Sequence, residues 1–153
     1  MSQHLSRDAL VQSPDLQEPP LQRQVAQVTM HVCVTCRAGQ SVSEGEACAG
    51  QRLLDAVVEK NIPDGVRVEE VKCLSACSRG PVIALASPGR WTYVYGNLGP
   101  DDVAEMLSGA QAYGASPDGV VPWKERVQIY KKNTVARIPP LSIDPTPMEP
   151  VHE

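Results

Sequence analysis

The sequence predicts a small α/β (α+β) domain whose elements follow the order β-α-β-β-β-α. Two observations lead to this prediction. Runs of β-branched residues alternate with segments of helical periodicity, and apolar residues make up 42% of the chain although Phe is absent and aromatics are only 4%. The core must therefore be built from Val, Leu, Ile and Ala. With 153 residues, the chain is long enough for one domain of roughly 100 to 150 residues with additional ends.

The individual elements can be assigned along the chain from their patterns. Residues 28–34 form a β-branched run that predicts the first strand, and residues 51–60 repeat apolar side chains at helical spacing. Three further strand patterns follow. The last two flank the turn Pro88-Gly89, which predicts a β-hairpin. A second helix is expected to begin within residues 99–102, where a proline and two aspartates suit a first turn. The three further strand patterns span residues 66–71, 82–86 and 91–95.

The composition divides the chain into three segments. Residues 1–26 mix Ser, Gln, Asp and Pro with scattered leucines, which predicts a mobile N-terminal extension. Residues 27–112 carry the predicted domain. Residues 113–153 are punctuated by Gly and Pro, with a short helical pattern at 122–132 and a proline-rich end. We expect this last segment to be a C-terminal arm of low core content.

Charge, hydropathy and cysteine count exclude several classes of function. The net charge of −4, with no run of basic residues, disfavours nucleic-acid binding. No stretch approaches the roughly 18 apolar residues of a membrane span, and residues 1–27 lack the pattern of a secretory signal. We therefore expect a cytoplasmic protein. Five cysteines, an odd number, in a reducing compartment favour metal binding or redox chemistry over a disulfide framework.

Four cysteines form two closely spaced pairs that each follow a predicted strand. Cys33 and Cys36 have the spacing Cys-x-x-Cys, and Cys73 and Cys77 have the spacing Cys-x-x-x-Cys. Four thiolates suit either a zinc ion or an iron–sulfur cluster. The longer second spacing departs from zinc ribbons and favours iron. Gly80, in the turn after the second pair, lets the backbone approach a cluster closely, so that N–H groups there can tune its potential.

The second half of the domain resembles a known family. Residues 73–83, followed by 89–91 and 99–107, are similar to the thioredoxin-like [2Fe-2S] ferredoxins, which share a Cys-Leu-x-x-Cys-x-x-Gly-Pro-Val segment and a following hairpin. This resemblance implies a thioredoxin-like fold, a [2Fe-2S] cluster held at the loop ends, and electron transport rather than enzyme catalysis. It also implies redox partner proteins and formation of a homodimer.

A second resemblance covers more of the chain. Residues 32–37, 89–96 and 136–140 are similar to a bacterial family of predicted metal-binding proteins, over roughly residues 28–141. The association of that family with cobalamin biosynthesis implies an alternative function, in which the thiolates handle a metal and deliver it elsewhere. A third hypothesis is a structural zinc module that binds other proteins.

The two resemblances differ on one ligand. The thioredoxin-like ferredoxins pair a Cys that matches Cys33 with a later Cys best matched by Cys48, whereas the predicted metal-binding family pairs Cys33 with Cys36. Because a [2Fe-2S] cluster needs four protein ligands, one of Cys36 and Cys48 is spare, or the two exchange. We favour Cys36, since its short spacing costs less loop ordering. The expected ligands of the cluster are Cys33, Cys36, Cys73 and Cys77, with Cys48 as the alternative to Cys36.

Other chemistry is less well supported by the residues. A redox dithiol at Cys33 and Cys36 requires a helix that begins at the first cysteine, but the predicted helix begins only near Gly50. His31 lies within a strand and is interpreted as a packing or surface residue. Asp101 and its neighbour suit a helix start, and the sequence contains no catalytic triad or phosphate-binding loop. The alternating aromatics of the fourth strand, Trp91, Tyr93 and Tyr95, are interpreted as sheet packing.

Overall fold

The computed structural model describes residues 28–141, which form a five-stranded sheet with helices packed against it. The predicted N-terminal extension and the proline-rich residues 142–153 lie outside the described residues. Three short 3₁₀ turns, Cys77–Arg79, Pro100–Asp102 and Trp123–Glu125, lie between the main elements. The elements are β1 (Val28–Cys33), α1 (Ala49–Val58), β2 (Val66–Val71), β3 (Ile83–Ala86), β4 (Thr92–Tyr95), α2 (Val103–Ala115), α3 (Gln128–Asn133) and β5 (Thr134–Ile138).

The sheet has the strand order β2-β1-β3-β4-β5 and is mixed. Strands β1 and β2 pair in parallel, which requires the crossover that α1 provides. Strand β3 runs antiparallel to both β1 and β4, and β3 and β4 form the predicted hairpin. This β-α-β unit beside an antiparallel hairpin, closed by α2, is the thioredoxin-like arrangement that the resemblance implied. The predicted mixed α/β fold and the order β-α-β-β-β-α are confirmed.

The main core lies on the face of the sheet that α1 and α2 cover. Alternate residues of β1 point into it, so that Met30 and Val32 are fully buried, as is Leu53 of α1. Cys33 has the opposite parity to Met30 and belongs to a second, smaller apolar cluster that also contains Val82. Cys33 and Cys36 therefore pack apart from the main core. Partly buried residues around this second cluster are Val71, Leu74, Ala76 and Val94.

The structure differs from the sequence expectation for the predicted C-terminal arm. Residues 113–141 add α3 and a fifth strand, β5, which pairs antiparallel with β4. They also bury aromatic side chains: the Tyr130 ring stacks on that of Tyr95 with centroids 3.8 Å apart, and Tyr113 is 1% exposed. The pattern was missed because these rings are far apart in the sequence and meet only when β4, α2 and α3 pack together.

The strand ends that carry the candidate site lie at one edge of the sheet. The register places the ends of β1 and β2, Cys33 and Val71, beside each other, and the first residue of β3, Ile83, beside Val32. Tyr95 ends β4 opposite Ile83, and β5 begins next to Tyr95. We call this the cysteine edge. Within residues 28–141, no helix is both long enough and apolar enough to cross a lipid bilayer.

Candidate metal centre

The first cysteine pair is built into the end of β1. The backbone N–H of Cys33 donates to the carbonyl of Val82 at 3.0 Å, and that of Val34 donates to the carbonyl of Val71 at 2.9 Å. The turn is thus tied to β2 on one side and to the start of β3 on the other. As a result Cys33 and Cys36 are only 3% and 2% exposed.

Two glycines allow the chain to pack against this turn. The N–H of Gly50, in the first turn of α1, donates to the carbonyl of Cys36 at 2.9 Å, and a Cβ at Gly50 would overlap the carbonyl oxygen of Cys33. A Cβ at Gly80 would overlap the sulfur of Cys36. The prediction that Gly80 permits close backbone approach is consistent with this contact. Gly50 was not singled out from the sequence, where a glycine near a helix start carries little signal.

The second pair lies on the loop after β2 and is exposed to solvent. Ser75 has a φ of 55°, and this left-handed conformation directs its backbone N–H to the sulfur of Cys73 at 3.2 Å. The backbone N–H of Ser75, and after it the Ser75 hydroxyl, lowers the pKa of the Cys73 thiol because both stabilise the thiolate. The loop therefore favours the charged, ligating form of Cys73.

The two loops are joined, which brings four thiols into one region. The hydroxyl of Thr35 donates to the carbonyl of Lys72, and the thiol of Cys33 points to the same oxygen at 3.6 Å. The pKa of the Cys77 thiol is raised, first by the charge of Cys73, then by loss of hydration, and further by the charges of Cys36 and Cys33. The two loops thus lie side by side, with Gly80, in the turn after Cys77, against the sulfur of Cys36.

Cys48 stands apart from this group. It directly precedes α1, is partly buried, and its thiol donates to the carbonyl of Val34 at 2.7 Å. Cys48 is not a member of the small buried cluster that contains Cys33 and Cys36. Its thiol is directed at the backbone of the turn that follows β1.

The four thiols do not converge on a single point. Among residues 28–141, no three or more His, Cys, Asp or Glu side chains are grouped so that they could hold one metal ion. The thiols instead divide into a buried pair and an exposed pair. Helix α1 begins at Ala49 and not at Cys33 in the sequence, although its first turn packs against the turn of Cys33 and Cys36 through Gly50.

The remaining candidates from the sequence have structural surroundings. His31 faces Glu69 of β2, with Nδ1 and Oε2 separated by 3.5 Å. Asp102 accepts the N–H of Gly99 at 2.8 Å, which agrees with its interpretation as a helix-start residue. Tyr93 and Tyr95 stack with their ring planes 5° apart and are buried, which agrees with sheet packing.

The chain belongs to the DUF1636 family, whose model, described as a protein of unknown function, matches residues 30–140. It is also 27% identical over 81 residues to a protein of Clostridium pasteurianum named "Ferredoxin, 2Fe-2S", an alignment that covers 50% of this chain and 76% of the relative. Two solved structures of a thioredoxin-like [2Fe-2S] ferredoxin from Aquifex aeolicus are similar. The first has 19% identity and a TM-score of 0.48 and covers 78% of this chain and 99% of the other. The second is the wild-type protein, with 18% identity, a TM-score of 0.48, and coverage of 72% and 98%.

Proposed function

We propose that this member of the DUF1636 family binds a [2Fe-2S] cluster through Cys33, Cys36, Cys73 and Cys77 and acts as a one-electron carrier. The observation that carries the proposal is the meeting of two cysteine loops at one edge of the sheet, where the hydroxyl of Thr35 donates to the carbonyl of Lys72 and the sulfur of Cys36 lies against Gly80 in the turn after Cys77. The similarity to the clostridial ferredoxin supports the same class of cofactor.

The donor set fits such a cluster. Iron–sulfur clusters of this type take four cysteine thiolates, two at each iron, so that no three side chains need to converge on one ion. The chain offers two close pairs, and the sulfur of Cys36 fits against the backbone of Gly80 without a side chain between them. When bound, a [2Fe-2S] cluster supplies one-electron transfer.

The surroundings of the two pairs support different parts of the function. Cys33 and Cys36 are shielded from water, which keeps their thiolates from being displaced or oxidised. Cys73 and Cys77 are exposed, so that a partner can approach this side of the site. The N–H of Ser75 donates to the Cys73 sulfur, the kind of hydrogen bond that sets the reduction potential of a thiolate-ligated centre.

Composition of the purified protein tests this proposal. Anaerobically prepared protein is expected to be red-brown, to contain two irons and two inorganic sulfides per chain, and to give an EPR signal after one-electron reduction. Colourless protein with one zinc per chain would support the zinc module instead. Analytical ultracentrifugation of the same sample tests the homodimer that the resemblance to the thioredoxin-like ferredoxins implied.

A matched pair of variants tests the choice of the fourth ligand. We propose Cys36 because its thiol lies in the same buried cluster as that of Cys33, whereas the thiol of Cys48 donates to the carbonyl of Val34. Cys36→Ser is expected to lose most of the iron, and Cys48→Ser to keep it. Equal retention in both variants, or loss only in Cys48→Ser, would contradict this assignment.

Metal delivery is the second candidate, because the exposure of Cys73 and Cys77 would also let an acceptor take metal from the site. The loaded protein is then expected to lose its iron to a cluster-free acceptor protein within minutes, and to fail to cycle between oxidation states. A carrier retains its iron through repeated reduction and reoxidation, so spectra recorded over several cycles distinguish the two functions.

A further inference from the structure

We propose that a basic surface beside the cysteine edge docks the acidic face of a partner protein. This surface, the basic patch, consists of Trp123, Arg126, Lys131 and Lys132. This proposal deepens the proposed function. That the partner is a redox protein rests on the proposed function. The acidic character of the partner follows from the patch itself.

The centre of the patch is an exposed indole with two cations close to its ring. The side chain of Trp123 is 62% exposed, although large aromatic side chains are usually covered. The guanidinium carbon of Arg126 lies 5.8 Å and the ammonium of Lys131 lies 5.7 Å from the centre of its ring. Cation–π attraction restrains the indole in this open position. Rigid, exposed Trp residues with neighbouring Arg are typical anchors of protein interfaces.

Positive charge is concentrated in the segment of the chain that carries this indole. Residues 122–141 contain five basic residues and a single acidic one, Glu125, whereas the chain as a whole has a net charge of −4. A local positive region on a negatively charged protein steers and orients a partner whose own contact surface is acidic. The basic residues in this range are Lys124, Arg126, Lys131, Lys132 and Arg137.

The patch lies next to the candidate metal centre. The N–H of Gly96, directly after β4, donates to the carbonyl of Asn133 at 2.9 Å, and the N–H of Asn97 donates to the carbonyl of Arg79. Asn133 directly follows Lys132, and Arg79 is two residues after Cys77. One short turn thus separates the end of α3 from the exposed cysteine loop. A protein seated on the patch would reach the exposed side of the centre.

The charge balance of the chain favours a protein over a nucleic acid or an anionic membrane. Arg126 is fixed within the fold, because its Nε donates to the carbonyl of Val121 at 2.7 Å and its Nη2 to the hydroxyl of Tyr93 at 3.2 Å. These bonds leave its charge in place but take up donors that a two-contact grip on an anionic group would need. The net charge of −4 also opposes the extended field of a polyanion.

Binding can be followed through the indole itself. A Trp91→Phe background leaves Trp123 as the only tryptophan of the chain. A flavodoxin, an acidic one-electron flavoprotein, serves as the probe. It is expected to change the Trp123 fluorescence, with affinity that falls as salt rises from 50 to about 300 mM. The double charge reversal Lys131→Glu with Lys132→Glu is expected to weaken binding about tenfold.

Lys60→Glu is the matched control, because Lys60 is an exposed lysine between α1 and β2, at the opposite edge of the sheet. It should leave the affinity within about twofold of the parent. Equal affinity in the double reversal, absence of binding to flavodoxin, or tighter binding of a single-stranded oligonucleotide or of phosphatidylglycerol vesicles would overturn the proposal.

The docking test and the cluster test fail independently. Fluorescence titration of the Cys36→Ser variant measures the patch without a cluster, and binding is expected to persist there. Intact binding without iron in the parent protein would refute the carrier and retain the patch. Intact iron content without binding would refute the patch and retain the carrier. In the loaded protein, the second-order rate of reduction by flavodoxin hydroquinone should fall about tenfold in the double reversal and remain unchanged in Lys60→Glu.

Discussion

The two cysteine pairs of the candidate metal centre differ in how the fold supports them. Cys33 and Cys36 are buried, and their turn is hydrogen-bonded to the end of β2 and the residue before β3. Cys73 and Cys77 are exposed, and the hydrogen bonds to the Cys73 sulfur come from its own loop, at Ser75. Tertiary packing therefore positions the first pair, and local backbone conformation positions the second. Substitutions that perturb packing should affect the first pair, and changes within the loop should affect the second.

The largest effect is expected from Gly50→Ala. The new methyl group would overlap the backbone carbonyl of Cys33, which cannot move without disturbing β1. We expect a loss of about 3 kcal/mol in the free energy of unfolding, even though alanine gains about 1 kcal/mol in helix propensity. Urea denaturation followed by circular dichroism measures the loss.

Gly99→Ala is the matched control for this substitution. The nearest atom to a Cβ at Gly99 is the carboxylate oxygen of Asp102 at 3.9 Å, which is ordinary contact. Its free energy of unfolding should change by less than about 1 kcal/mol. Similar losses of unfolding free energy in both variants would show that close backbone packing does not hold the turn of Cys33 and Cys36.

Gly80→Ala should separate site geometry from stability. Its methyl group would overlap the sulfur of Cys36, a side-chain atom that can rotate away, so we expect a smaller loss of about 1 to 2 kcal/mol. The displaced sulfur would no longer be in position to ligate, and iron content should fall by more than half. Iron analysis beside urea denaturation checks both effects. Full iron content with unchanged stability would contradict the close contact between Gly80 and the sulfur of Cys36.

Alkylation rates compare the two pairs directly. In reduced, cluster-free protein, iodoacetamide should modify Cys73 and Cys77 at least about tenfold faster than Cys33 and Cys36, because a buried thiol reacts only after local opening. Peptide mass spectrometry gives the four rates. Uniform rates would show that the turn at the end of β1 opens as readily as the exposed loop.

The pH dependence of alkylation distinguishes the two exposed thiols. The pKa of Cys73 is lowered by the N–H of Ser75, and that of Cys77 is raised by the charge of Cys73. Since the thiolate is the reactive form, Cys73 should react faster near neutral pH, and the difference should narrow as pH rises and Cys77 ionises. A larger rate for Cys77 at neutral pH would contradict the predicted direction.

The smallest effect is expected from Ser75→Ala. The substitution removes the hydroxyl but keeps the backbone N–H, which is the main cause of the lowered pKa of Cys73. The pKa of Cys73 should therefore rise slightly and remain below that of an ordinary thiol. Ser78→Ala, at an exposed serine just beyond the pair, is the control. The rate of alkylation against pH gives both values, and a pKa at the ordinary value would assign the effect to the hydroxyl.

Much of the fold and the main cysteine pattern could be predicted from the sequence. The first four strands were visible as strand patterns and α1 as a helical repeat, because both patterns are local. Spacing alone singled out Cys33 with Cys36 and Cys73 with Cys77. The role of residues 113–141 was not visible, because the stack of Tyr130 on Tyr95 joins side chains that are distant in sequence.

The sequence by itself determined the order of the elements, the residue types available for a metal and their close spacing in pairs. Only the tertiary structure decided which thiols are buried and which two loops lie side by side. The parallel pairing of β1 and β2 sets Cys33 beside Val71 and so brings the two loops together. The start of α1 packs through Gly50 against the turn of Cys33 and Cys36. The thiol of Cys48, just before α1, donates to the carbonyl of Val34. These relations depend on contacts between segments far apart in the chain, which no local pattern encodes.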